Sequence, residues 1–131
     1  MMMFSNVFLV LPVIFAALYS EWLYLFFATG LVIFSPLYHW YKERSPGPLL
    51  YPIFLWCDTA FAVGAFSYMY FYSYFYAPEQ YKILLLSALS LIVAFYLYGR
   101  RKDYERLHPW FHILAPIISS LILIVTNSYS L

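Results

Sequence analysis

The stretch SYMYFYSYFY, residues 67–76, decides the fold. Tyr68, Tyr70, Tyr72, Tyr74 and Tyr76 fall at alternate positions, and a period of two is the mark of a β-strand. Read as a strand, the stretch belongs to a membrane barrel. Read as a helix, it belongs to a bundle. The residues around it choose between the two. It ends an apolar run over 49–76, and four more such runs occupy 3–19, 22–41, 81–98 and 108–127. None of those four alternates, and each is about twice the roughly 9–11 residues of a barrel strand. A helix needs about 20 apolar residues to cross a hydrocarbon core about 30 Å thick. Lipid offers no partner to open backbone groups, so each run is expected to be helical. The alternating tyrosines then read as an aromatic belt at one membrane face. Lining of a lipid-binding cleft is the other reading.

Composition agrees. The chain has 131 residues, 65% of them hydrophobic and only 10% charged, where soluble domains carry about 25% charge. That is too little polar surface for a water-soluble fold. The formal net charge of +1 gives no sign of an acidic or nucleic-acid partner. The single cysteine, Cys57, excludes an internal disulfide and reads as a small packing residue. No Lys or Arg precedes the first apolar run, so MMMFSNVF reads as the start of a retained helix and not as a cleaved signal peptide. The expectation is an all-α membrane protein: one domain over 1–131, a bundle of about five transmembrane helices.

The breaks between runs give the direction. They are SE at 20–21, KERSPGP at 42–48, APEQ at 77–80 and GRRKDYER at 99–106. The second and fourth hold Lys42, Arg44, Arg100, Arg101, Lys102 and Arg106, and the opposite side holds only Lys82. By the positive-inside rule those two breaks face the cytoplasm. The N-terminus is then cytoplasmic and the C-terminus outside. Glu21 and Glu79 read as rim residues on the outer face. Ser119 and Ser120 read as small helix-packing residues.

This orientation collects the ionisable residues of the runs. FSPLYHWY places Ser35 and His39 at the inner end of the second run. LHPWFH places His108 and His112 in the first turns of the last. FLWCDTAF places Asp58 about two turns into the third. All three histidines of the chain therefore lie at similar depth with the only mid-run carboxylate, in the cytoplasmic leaflet. Residues four apart share a helix face, so His108 and His112 can aim at one point, as paired metal ligands do. Three imidazoles without a thiolate suit zinc, with the fourth position left to water. Zinc would bring the pKa of that water to about 7. An unpaired carboxylate in hydrocarbon is costly, so Asp58 needs a partner. A water on the metal or an imidazole N–H would serve. Asp58 would act as general base or orient the water, and Ser35 would bond the water or an oxyanion. Pro12, Pro36 and Pro116 each free a backbone carbonyl and bend a run, whereas Pro109 falls in a first turn and costs little. Blander readings stand beside these. A histidine near a membrane interface is often an amphipathic anchor, and serine often bonds back to its own helix.

Taken in order, SPLYH, FLWCDTAF and HPWFH resemble the motifs of the CREST membrane hydrolase superfamily. That group includes the alkaline ceramidases, the adiponectin and progestin receptors, and the myomaker-like proteins. The resemblance implies a zinc ion held by His39, His108 and His112, with Asp58 and Ser35 against its water. It implies hydrolysis of a lipid amide or ester, ceramidase-like, on a membrane-lipid substrate. Members typically have seven helices and five are counted here, so the missing pair falls between the third helix and the last. Self-association would complete the lipid cleft, which makes a homo-oligomer one expectation. Since the myomaker-like branch acts in membrane fusion, the alternative is a non-catalytic receptor, scaffold or fusion protein with a structural zinc site. A haem bound between histidines of two helices would explain neither Asp58 nor two histidines one turn apart.

Overall fold

The computed structural model describes residues 5–44 and 50–129. Residues 3 and 4 of the first expected run, and 45–48 of the expected break at 42–48, lie outside the described residues. Every element among those described is helical. A 3₁₀ turn, Asn6–Leu9, leads into α1, Val10–Leu18. α2 is Trp22–Glu43, α3 is Leu50–Tyr76, α4 is Glu79–Lys102 and α5 is Tyr104–Ser128. The tyrosine stretch therefore lies in a helix. At 100° per residue its alternate positions fall on two opposite sides, Tyr68, Tyr72 and Tyr76 on one and Tyr70 and Tyr74 on the other.

Helices α2 to α5 are each long and apolar enough to cross a membrane. The first run falls short of that length. Its helical part, Asn6–Leu18, rises only about 20 Å. The turn after it is tight: Ser20 takes a left-handed φ of 58°, and Glu21 N–H donates to Ala16 O at 2.8 Å. This is the usual way for a helix to stop within one residue.

The expected break at 99–106 is mostly helix. α4 runs through Arg100, Arg101 and Lys102, and α5 starts at Tyr104, with only Asp103 between them. Asp103 caps α5, its side chain accepting from Arg106 N–H at 3.2 Å. Charged residues end an apolar run without ending a helix once they reach the headgroup level. Pro109 consequently lies inside α5 and not in its first turn. There it leaves the carbonyl of Glu105 without a helical donor.

The packing is uneven. α2 lies along α3, α4 along α5, and α1 fits between α2 and α5. Glycines let α2 and α3 close up: a Cβ on Gly30 would sit 2.2 Å from Phe61 Cδ1, and one on Gly64 2.3 Å from Phe27 Cε1. Tyr24, Ala28, Met69, Leu89, Ile122 and Leu123 form the core. The apolar side chains that remain exposed, such as Trp56, Val63 and Phe71 on α3, are ordinary for a surface solvated by lipid.

At the end of the bundle away from the histidines, the tyrosines do more than anchor. Tyr74 and Tyr76 are exposed, as a belt requires. Tyr68 and Tyr72, one turn apart, face inward and donate to the two oxygens of Glu21 at 2.6 and 2.8 Å. Asn127 Nδ2 of α5 donates to Tyr72 Oη at 2.9 Å. Glu21 is thus a clasp joining the α1–α2 corner to α3 and, through Tyr72, to α5. Glu79 remains on the rim, where it pairs with Lys82. Replacing Glu21 with alanine leaves both hydroxyls without their acceptor, at an expected loss of about 2 kcal/mol. Thermal unfolding in detergent reads this directly, and an unchanged midpoint would deny the clasp its role.

Candidate metal centre

His39 comes from the last turns of α2, and His108 and His112 from the second and third turns of α5. Among the described residues no Cα of α2 lies within 8 Å of one in α5. The imidazoles span that gap. His39 Nε2 is 3.3 Å from His112 Nε2, which is 2.9 Å from His108 Nε2. All three donor atoms lie within 4.8 Å of one another. Zinc–nitrogen bonds of about 2.0–2.1 Å at tetrahedral angles put ligand nitrogens roughly 3.3 Å apart. The three histidines fit a metal ion with only small adjustments of their side chains.

Without a cation the arrangement is hard to satisfy. A neutral imidazole nitrogen either donates or accepts, so His112 Nε2 has only one proton or one lone pair for its two neighbours. A cation takes the lone pairs of all three. The site is also buried: the three residues are 0%, 8% and 5% exposed in chain order. The Tyr104 ring stacks on His108 with centroids 4.2 Å apart, and the Tyr38 ring lies 4.8 Å from that of His39. Lys42 Nζ sits 4.3 Å from the Tyr104 centroid, a cation–π contact at the histidine end of the bundle. The Nδ1 atoms of His39 and His112 are buried with no hydrogen-bond partner among the described residues. They are the positions where a second layer of acceptors would act.

Asp58 and Ser35 fall close by. Asp58 is half-buried and lines a cavity of about 330 Å³ together with His108, His112 and Arg100. It is not in the histidine cluster itself. Ser35 is its polar neighbour, close enough for the hydroxyl to interact with the carboxylate. Ser35 is fully buried and also donates to Asn6 Oδ1 at 3.5 Å. Asn6 is a site neighbour that the motif pattern does not contain. Its signal was a lone amide inside an apolar run, since intramembrane polar groups are rarely idle.

Beyond the polar end, the cavity is lined by apolar side chains such as Leu31, Ala62, Phe66 and Ala115. It extends to Tyr24 and Ser119. Thr59, Val63 and Leu97 line it and are exposed, so it opens sideways between α3 and α4, toward lipid. No protein-family model, curated protein or solved structure matches the chain.

Proposed function

We propose that the protein is a zinc-dependent intramembrane lipid hydrolase, cleaving a lipid amide or ester in a pocket of the cytoplasmic leaflet. The observation that carries this reading is one cavity with two ends. At one end lie two of three clustered imidazoles and a carboxylate. The rest is an apolar slot open to the bilayer. A structural metal alone needs no such slot, and a lipid-binding slot alone needs no such polar end. Zinc, when bound, supplies a Lewis acid and a water activated at neutral pH. The protein's own residues do the remainder. His39, His108 and His112 hold the metal. Asp58 takes or steers a proton. Ser35 orients Asp58 and is near enough to it to bond a developing oxyanion. The slot holds an acyl chain and keeps bulk water out. Resemblance to the CREST superfamily points to the same residues and the same chemistry.

The leaflet follows from charge. Both basic stretches lie at the histidine end, so the site faces inward by the positive-inside rule. The 3₁₀ turn and α1 run from Ser35 to the Glu21 clasp, and an N-terminus at the histidine end would be cytoplasmic by the same rule.

Elemental analysis and a lipid screen test the proposal together. The expected result is about one zinc per chain and release of fatty acid from ceramide or phospholipid, lost on chelation and restored by zinc. Purified protein that carries zinc but turns over no lipid class would favour a second reading, a non-catalytic structural site in a receptor, scaffold or fusion protein. One observation supports that alternative: the imidazoles join α2 to α5 where their backbones do not meet.

A further inference from the structure

The hydrogen bonds around Ser35 do not balance as they stand. Its hydroxyl carries one proton and has two acceptors beside it: Asn6 Oδ1 at 3.5 Å, long for a hydrogen bond between oxygens, and the neighbouring Asp58 carboxylate. Asn6 is only 5% exposed, and its Nδ2 is buried with no partner among the described residues. The site therefore has one donor too few at Ser35 and one donor wasted beside it. Half a turn of the Asn6 amide exchanges Oδ1 and Nδ2 within the same volume. Nδ2–H then donates to Ser35 Oγ, and the serine proton is released to Asp58. The amide oxygen moves to the place of the orphaned N–H, where an under-satisfied carbonyl is tolerated better than a donor.

We infer that Asn6 is a positioning residue of the site: its amide N–H donates to Ser35 and so directs the serine proton onto Asp58. The 3₁₀ turn that carries Asn6 packs on both α2 and α5. Leu9 of that turn lines the cavity, and Asn6 sits behind the lining, against Ser35. Asn6 touches neither metal nor substrate and acts through Ser35. The hydrogen-bond chain holds whether or not the site hydrolyses lipid. Its effect on turnover rests on the hydrolase reading.

Asparagine labelled with ¹⁵N, in protein reconstituted into lipid nanodiscs, separates the two. The expected result is a side-chain amide signal of Asn6 that is protected from solvent exchange and shifts in Ser35→Ala. It stays put in Ser73→Ala, which alters a buried serine elsewhere. Ser35→Cys keeps the volume and weakens the acceptor, and serves if Ser35→Ala does not fold. An Asn6 signal that neither variant moves overturns the inference. In an active protein, Asn6→Ala lowers kcat about tenfold and leaves KM and zinc content as they were. Loss of zinc or a change confined to KM would overturn the positioning role. A signal that shifts in a protein hydrolysing no lipid supports the hydrogen-bond chain and counts against the hydrolase instead.

Discussion

In His112→Ala, zinc affinity falls by at least about 100-fold, and the purified variant carries almost no metal after dialysis. The size follows from position. His112 Nε2 is the middle atom of the cluster, 3.3 Å from one neighbour and 2.9 Å from the other. Changes one layer out from a metal already cost about 10–100-fold in affinity, and loss of a ligand costs more. Two histidines on different helices remain, and two imidazoles hold an ion far more weakly than three. Stability changes with it. Zinc at 100 times its dissociation constant adds about 2.7 kcal/mol to the unaltered protein, so added zinc raises its unfolding midpoint. The variant's midpoint ignores zinc. A full metal complement in His112→Ala would remove these three residues as the ligand set.

Asp58→Asn leaves zinc bound and lowers turnover by about 10²–10⁴-fold, the usual contribution of a positioned acid or base. The substitution keeps the volume, and the amide can still bond Ser35, so folding is preserved. What disappears is the ability to take a proton. Metal content and product release should be measured on the same preparation. Loss of both would make Asp58 a ligand. Loss of neither would leave it a structural carboxylate, paired with Ser35 for its own burial. The two variants are complementary, since one removes the metal and the other removes only the proton acceptor.

Several of these features were legible in the sequence. Helicity follows from run length and from the demands of hydrocarbon, and α2 and α3 end within two residues of the expected positions. The meeting of His39, His108 and His112 was legible because depth is readable in a membrane chain: charged stretches mark the ends, and position along a run gives height. The lone pairs of residues four apart then fix the facing side. Other features were not legible. The clasp of Glu21 by Tyr68 and Tyr72 depends on the left-handed turn at Ser20, which no glycine or asparagine announces. The persistence of helix through Arg100, Arg101 and Lys102 shows that charge can end an apolar run without ending a hydrogen-bonded helix. Asn6 was not legible either, because one amide in an apolar run carries no spacing pattern and its neighbour Ser35 lies 29 positions away.

The opening between α3 and α4 has a kinetic consequence. A molecule that enters through it must first dissolve in the bilayer, so its effective concentration is a mole fraction in the membrane and not an amount per volume of buffer. Diluting such a ligand with inert phospholipid slows its capture even when the total in the tube is unchanged, and adding more buffer does nothing. Competition among ligands is then weighted by how strongly each partitions, which gives long-chain amphiphiles an advantage before they touch the protein.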